Sequence, residues 1–159
     1  MSREPFQNGE FTMNGINEVR QMQESLLALL PVWNHRIEKP LKQTLEDGIS
    51  LEMYYCLQTL RSFNGMLTMS ELARWLKTPK QQMTKLINRL VEHELVERVY
   101  DPADRRIIKI RITEKALTYI NSFLDHDAEC FRSILEKMDD QDRREFKAAT
   151  DTLLRILIK

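Results

Sequence analysis

The chain has 159 residues, and 24 Lys or Arg balance 24 Asp or Glu, so the formal net charge is zero. This length holds one domain of ordinary size, or one small domain with appended helices, and 42% hydrophobic residues suffice for a core. The longest apolar run, Leu26 to Trp33, contains Pro31 and is far shorter than the about 20 residues of a membrane span, and no signal peptide is visible. We therefore expect a cytoplasmic protein without a membrane partner.

The N-terminal third combines a polar arm with a long helical pattern. Residues 1–14 are polar and aperiodic, which predicts a flexible N-terminal arm. Residues 15–48 carry apolar side chains three or four apart through Pro31 and Pro40, which indicates one kinked helix or two helices end to end. Such a helix is too long for one small domain to cover, so we predict a first dimerisation helix region.

Two shorter helices are predicted next. Ser50 can cap a helix that places Met53, Tyr54, Leu57 and Leu60 on one face. Thr68 and Glu71 then form a Thr-x-x-Glu capping box before a helix of about eight residues. Only Lys77 and Thr78 separate this helix from the following one, and two short helices joined by so tight a turn are typical of a helix-turn-helix.

The following helix, over residues 78–95, has the composition of a DNA-reading helix. Its start is predicted by Pro79 and by a second capping box, Thr78 with Gln81. One face is apolar, and the other bears amides, hydroxyls and cations without a carboxylate before Glu92. Amides suit adenine, Lys or Arg suits guanine, and the helix N-terminus suits phosphate. The predicted DNA-binding residues are Thr78, Lys80, Gln81, Gln82, Thr84, Lys85, Asn88 and Arg89.

The pattern then changes to alternation, which predicts a β-hairpin over residues 96–100 and 107–113. Arg105 and Arg106 lie at its tip and are predicted to enter a DNA minor groove, as a wing does. The alternative is that both arginines pair with Asp101 and Asp104, and the two arrangements are compatible. Residues 66–113 hold ten basic against six acidic residues, which leaves 14 against 18 elsewhere and modestly supports a nucleic-acid partner.

Two amphipathic helical patterns close the chain at residues 114–159, with Thr113 and Asp139 as predicted caps. We assign them to dimerisation, because two-fold assembly buries their apolar stripes and sets two reading helices at half-site spacing. A closed monomeric bundle is the alternative. The predicted fold is mostly α with a small β-hairpin wing: a winged helix-turn-helix lobe at 49–113 plus a helical dimerisation layer.

With these residues in place, the sequence resembles the MarR family of bacterial transcription regulators from about Ile16 to the C-terminus. The most specific segments are LTMSELARWL, PKQQMTKLINRLVEHELVER and DPADRRIIKIRITEKA. The resemblance implies a homodimer that binds a pseudo-palindromic operator in double-stranded DNA, usually as a repressor. It also implies release when a small phenolic or anionic compound enters a cleft between the dimer layer and the DNA-binding lobe.

Carried onto this chain, the resemblance places the base-contacting residues and the wing at defined positions. Asp104 would brace the wing arginines. Two departures, Glu94 and Ala116, stand where the family often has Gly, and they bear on local turn geometry. The base-contacting positions fall on Gln81, Gln82, Thr84, Lys85 and Asn88, and the wing arginines on Arg105 and Arg106.

Other functions find less support in the sequence. No phosphate loop, nucleophile elbow or zinc-protease motif is present, so neither an enzyme nor a cofactor is predicted. His126 and Cys130, four apart, leave open a metal- or redox-responsive regulator of the same fold, and a helical interaction protein that does not bind DNA is the remaining alternative. For a small aromatic or anionic effector, the candidate pocket residues are Trp33, His35, Arg36, Tyr54 and Tyr55.

Overall fold

The structure is a computed structural model that describes residues 13–102, 104, 106–125 and 129–158. Most of the predicted arm, Arg105 and His126 lie outside these residues. The chain forms two compact units, Met1–Lys39 and Pro40–Lys159.

The first unit is built on one long helix. Helix α1 spans Met13–Trp33 and runs into a π-helical turn, Asn34–Glu38, closed by a hydrogen bond from the Lys39 N–H to the Asn34 carbonyl. Pro31 lies within α1 and does not end it. The kink or break predicted in this region is therefore a π-helical turn after Pro31. Such a turn inserts extra backbone without ending the helix.

The second unit contains the remaining elements. The helices are α2 (Lys39–Thr44, whose first residue ends the first unit), α3 (Leu51–Ser62), α4 (Met69–Trp75), α5 (Lys80–Glu92), α6 (Glu114–Asp125), α7 (Glu129–Leu135) and α8 (Asp140–Leu157). The strands are β1 (Met66–Thr68), β2 (Val96–Tyr100) and β3 (Ile108–Ile112). None of the described helices has the length and apolar character needed to cross a membrane.

The predicted hairpin is confirmed, but it belongs to a larger sheet. Strands β2 and β3 pair antiparallel, with Arg98 opposite Ile110. Strand β1 pairs with the other edge of β3, with Leu67 opposite Ile110, so the strand order is β1-β3-β2. Strand β1 was not predicted, because three residues are too few for a detectable alternation.

One core joins α3, α4, α5, α6 and the sheet. The Cys56 thiol lies in this core and is fully buried. The predicted apolar faces of α3, α4 and α5 are those that point inward. Fully buried side chains include Met53, Leu57, Leu60, Leu72, Met83, Ile87, Leu90, Ile110 and Ile120.

Most predicted helix caps are confirmed. The Ser50 hydroxyl accepts the Met53 N–H at 3.3 Å at the start of α3. At α4, the Thr68 hydroxyl accepts the Glu71 N–H at 3.2 Å, while the Glu71 carboxylate accepts the Thr68 N–H at 2.8 Å. Thr113 and Asp139 likewise accept backbone N–H groups at the starts of α6 and α8. Local side-chain chemistry therefore sets where these helices begin.

The predicted capping box of Thr78 and Gln81 is wrong. Pro79, with ψ 144°, immediately precedes α5, and no side chain caps this helix. The Thr78 hydroxyl instead donates to the Leu76 carbonyl at 3.1 Å. Lys77 takes a left-handed φ of 47° to turn the chain between α4 and α5, and the hydroxyl of Thr78 holds this turn rather than the next helix.

Glu94 has the backbone conformation for which glycine is favoured. Its φ is +60°, in the turn between α5 and β2, where its N–H donates to the Val91 carbonyl. A residue with a side chain is strained in this conformation, which explains why the MarR family often has glycine at this position. The Glu94 carboxylate pairs with the Lys115 ammonium at 2.8 Å. Ala116, the other departure, is fully buried in α6.

The capping box of α4 yields a stability prediction. Thr68→Ala removes both the hydroxyl that caps α4 and its bond to Glu71, so we expect the free energy of unfolding in urea to fall by about 1 kcal/mol at neutral pH. Ser70→Ala, an exposed hydroxyl in the same turn, is the control. Equal unfolding midpoints for the two variants would contradict the assignment of the cap.

The same box has a predicted pH dependence. The pKa of Glu71 is lowered from 4.5, first by the backbone N–H of Thr68 and then by its hydroxyl. A lowered folded-state pKa means that the stabilisation is complete above the unfolded pKa and is lost as pH falls through the folded pKa. The difference between wild type and Thr68→Ala should therefore shrink in acid, as measured by urea titrations from neutral pH to below 4.5.

Candidate nucleic-acid interface

The position of α5 is set by its buried face and by the turn before it. Met83, Ile87 and Leu90 are buried and recur at helical spacing, so they hold one side of α5 against the core. The Thr78 N–H donates to the Ala73 carbonyl at 3.0 Å, which fixes the tight connection from α4. The polar side of α5 is consequently exposed, as the sequence predicts for a reading helix.

The N-terminal half of α5 carries most of the predicted contact residues. Lys80, Gln81, Gln82, Thr84 and Lys85 are all exposed. Within the described part of the chain, the side chains of Gln81, Gln82 and Lys85 form no hydrogen bond or ion pair. The Thr84 hydroxyl donates to the Lys80 carbonyl at 3.0 Å. Two amides and a cation are therefore free to meet a ligand.

Asn88 lies on the side of α5 that faces strand β2. Its side-chain oxygen Oδ1 accepts a hydrogen bond from the Arg98 guanidinium. Because a guanidinium can only donate, this contact also decides which atom of the amide is the oxygen. The Nδ2 group of Asn88 is left to donate outward. Arg98 was not among the contact residues predicted from the sequence. Its basic side chain at an exposed position of the predicted hairpin was the available signal.

Arg89 is bound to the loop that precedes α3. Its guanidinium donates to the Gly48 carbonyl at 3.1 Å. Gly48 has φ +87°, and a Cβ there would lie 3.0 Å from Cε1 of His93. The pKa of Glu52 is lowered by backbone and Ser50 hydrogen bonds first, with smaller contributions from Lys42 and Arg89. Arg89 thus tethers α5 to this loop in addition to its predicted role at DNA.

The wing tip is braced by two carboxylates. The Asp104 carboxylate accepts the backbone N–H of Arg106 at 2.9 Å, and the Asp104 N–H donates to Asp101 at 3.4 Å. Asp101 also pairs with the Lys109 ammonium at 2.9 Å. The brace formed by Asp104 reaches the Arg106 backbone, and the Arg106 side chain is exposed.

A groove of about 720 Å³ lies between α4, α5 and the wing. Its charged lining residues are Lys80, Arg98 and Arg106, and no carboxylate is found among the described residues that line it. Thr84 of α5 and Ser70 of α4 add hydroxyl groups. The structure therefore brings predicted residues from the helix and from the wing to one cationic groove.

The predicted effector residues fall in both compact units. Trp33, His35 and Arg36 belong to the first unit and are exposed. In the second unit, Tyr54 is 9% exposed, its hydroxyl accepts a hydrogen bond from Gln58 at 2.7 Å, and its ring contacts that of Phe123. Tyr55 is 39% exposed. Tyr54 is therefore a core residue with a satisfied hydroxyl.

The thiol of Cys56 is unsuited to redox sensing. Burial raises its pKa to about 12, so the thiolate that would react is strongly disfavoured. The described residues hold no group of three His, Cys, Asp or Glu that could bind a metal ion. His126 lies outside the described residues, so the alternative site at His126 and Cys130 stays a prediction.

Comparison with known proteins identifies related chains. The MarR family profile matches residues 47–107, from the loop before α3 to the end of the wing tip. The HTH-type transcriptional regulator YsmB of Bacillus subtilis (strain 168) is 28% identical over 131 residues, which cover 82% of this chain and 87% of YsmB. The similarity thus extends well beyond the segment matched by the profile.

Solved structures share the fold. The reduced form of MarR from E. coli superposes with a TM-score of 0.66 at 20% identity, covering 81% of this chain and 96% of MarR. BpsR of Bordetella bronchiseptica, whose DNA binding is regulated by 6-hydroxynicotinic acid, gives a TM-score of 0.60 at 20% identity, covering 85% and 99%. At this identity, the superpositions establish the winged-helix fold.

The burial of Cys56 predicts its reactivity. In a Cys130→Ser variant, Cys56 is the single thiol. We expect Ellman's reagent to modify it only as fast as the protein unfolds, because the native thiol is buried and protonated. The same variant in urea provides the control for reactivity. Rapid modification of the native protein would contradict the burial of Cys56 and would support a redox-sensing role for this thiol.

Proposed function

We propose that this chain, which is similar to the MarR family of transcription regulators, is a homodimeric repressor that binds a pseudo-palindromic DNA operator and responds to a ligand. Members of this family are DNA-binding regulators and not enzymes. The observation that carries the proposal is the cationic groove between α5 and the wing, together with the free amides of α5.

The first half of α5 is proposed to enter the major groove. Gln81 and Gln82 are exposed and free, so each can present a donor and an acceptor to the base edges. Lys85 and Lys80 supply positive charge to the phosphates on either side. The first N–H groups of α5 lack a side-chain cap, which further supports a phosphate contact at the start of the helix.

Asn88 is proposed to read bases mainly as a donor. A bidentate contact with adenine requires both the oxygen and the nitrogen of the amide. Since Arg98 already donates to Oδ1 of Asn88, one of the two lone pairs of this oxygen is taken, while Nδ2 is left for a base. The acceptors that suit this donor in the major groove are N7 and O6 of guanine, N7 of adenine and O4 of thymine. The contact with Arg98 therefore weakens the adenine preference that an isolated asparagine would have.

The wing is proposed to contact the adjacent minor groove. Arg106 is exposed at the wing tip and lines the cationic groove, while Asp104 fixes its backbone. Arg105 is assigned to the same contact by its position in the sequence. Arginine is favoured in a narrow minor groove, where the negative potential is strongest. Helix and wing would then bind neighbouring grooves of one half-site.

Dimerisation is proposed to involve the helices at both ends of the chain. Helix α8 exposes Phe146, Leu153 and Leu157 on one face, and Leu157 is 72% exposed. In α1, Leu26, Leu27 and Leu30 are likewise exposed. Monomeric soluble proteins rarely expose apolar stripes of this kind, so each stripe supports an interface with a second copy.

We further propose a response to a small ligand. It is supported by the family and by BpsR, a structural neighbour whose DNA binding responds to 6-hydroxynicotinic acid. We propose a small aromatic or anionic effector, for which the sequence nominates Trp33, His35, Arg36, Tyr54 and Tyr55. Release of DNA requires only that the effector bind the DNA-incompetent form more tightly.

The phosphate contacts predict a salt dependence. Lys85→Ala should weaken binding to all duplexes and reduce the slope of log Kd against log salt concentration by about 0.9 for each of the two copies. Fluorescence anisotropy with a mixed-sequence duplex at several salt concentrations measures this slope. Lys137→Ala, an exposed lysine after α7, should leave it unchanged. An unchanged slope for Lys85→Ala would contradict the proposed docking of α5.

The contact between Arg98 and Asn88 predicts a change of base preference. Arg98→Ala frees Oδ1 of Asn88, so duplexes selected from a random pool should gain adenine at one position in each half-site. Arg98→Ala combined with Asn88→Ala should lose preference at that position. If Arg98→Ala weakens binding without altering any preferred base, Arg98 does not set the readout by Asn88.

The exposed stripe of α8 predicts the assembly state. Leu153→Glu places a charge in the proposed interface and should convert the dimer to monomer, as measured by analytical ultracentrifugation. Ala148→Glu places the same charge on the opposite face of α8 and is the matched control. A dimer that survives Leu153→Glu, or that Ala148→Glu dissociates equally, would contradict an interface on this face.

A further inference from the structure

A second cleft, of about 300 Å³, lies in the second unit and shares no lining residue with the cationic groove. Three segments form it: the loop before α3, the turn between α5 and β2, and the part of α6 from Lys115 to Ser122. Its volume is at the small end of ligand-binding clefts. Its lining includes Glu46, Ile49, His93, Leu95, Lys115 and Tyr119.

The charges of this cleft are unequally compensated. The Lys115 ammonium is paired with the Glu94 carboxylate at 2.8 Å. The Glu46 carboxylate forms no hydrogen bond or ion pair with any described residue. The backbone of Glu46 is engaged, since its N–H donates to the Tyr119 hydroxyl at 3.4 Å and its carbonyl accepts the Ile49 N–H at 3.0 Å. Of the two charged side chains, Lys115 is therefore paired and Glu46 is not, so the cleft carries the unpaired negative charge of Glu46.

Tyr119 provides an aromatic wall beside this carboxylate. It is 8% exposed, and its ring packs edge-on against Phe123 with centroids 5.2 Å apart. Burial raises the pKa of Tyr119 most, the hydrogen bond from the Glu46 N–H lowers it, and the negative charge of Glu46 and the neighbouring Tyr54 raise it further. The phenol is therefore neutral at physiological pH, and the Glu46 carboxylate lies close to it.

We propose that this cleft is a binding site for a small primary amine with an apolar or aromatic body. The ammonium group pairs with Glu46, and the body packs against Ile49, Leu95 and the Tyr119 ring. An ammonium next to an aromatic ring also gains a cation–π attraction. At the packing density of protein interiors, the volume of the cleft admits roughly ten non-hydrogen atoms.

The cleft is mechanically connected to α5. Its loop includes Gly48, whose carbonyl accepts a hydrogen bond from the Arg89 guanidinium of α5 and where an added Cβ would lie 3.0 Å from the imidazole of His93. A ligand that shifts this loop must alter the contact between Gly48 and Arg89. If the proposed function holds, amine and DNA binding are coupled, and each changes the affinity of the other by the same factor.

The binding test uses the full chain without DNA, so that its result does not depend on the proposed function. Isothermal titration with phenethylamine at millimolar concentration should show saturable binding to wild type. 3-Phenylpropanoate, of similar shape and opposite charge, should not bind. Glu46→Gln should weaken the amine at least tenfold, while Asp47→Asn, the adjacent carboxylate outside the cleft, should bind it as wild type does.

Three results would overturn the proposal. They are the absence of saturable amine binding, equal binding of the acid, and equal effects of Glu46→Gln and Asp47→Asn. Glu46→Gln is expected to fold normally, because the carboxylate it neutralises makes no hydrogen bond or ion pair in the described structure, and unchanged thermal unfolding verifies this.

Discussion

The burial of one face of α5 is the constraint on which the rest of the lobe depends. Met83, Ile87 and Leu90 can be removed from water only if the helix lies across α3, α4 and the sheet. Its amides and lysines then have no position other than the surface, since charged and amide groups are costly to bury unpaired. The same packing that stabilises the lobe therefore presents the proposed DNA-binding face.

Internal hydrogen bonds divide α5 into two functional halves. In its second half, Asn88 is held by Arg98 of β2, and Arg89 is held by the Gly48 carbonyl. In its first half, Gln81, Gln82 and Lys85 make no such contacts with the described residues. The second half thus fixes the helix to the wing on one side and to the loop before α3 on the other, while the first half stays available for base and phosphate contacts.

Whether a feature could be predicted from the sequence depended on how far apart its interacting residues lie along the chain. The helices, the hairpin and the capping box of Thr68 and Glu71 were predictable, because each depends on residues within a few positions of one another. The partner of Asn88 was not, since Arg98 lies on a different element and only the folded lobe brings them together. The cap at Thr78 failed because Pro79 and the left-handed Lys77 redirect its hydroxyl into the preceding turn.

The central claim is that two copies of α5 read two symmetrical half-sites of duplex DNA. The most direct measurement is selection of bound sequences from a random duplex pool at low and at moderate salt. The account predicts an enriched inverted repeat, with half-site centres about 10 base pairs or a multiple of that apart, and weaker retention at the higher salt. Retention without an enriched inverted repeat, or no retention at either salt concentration, would contradict it.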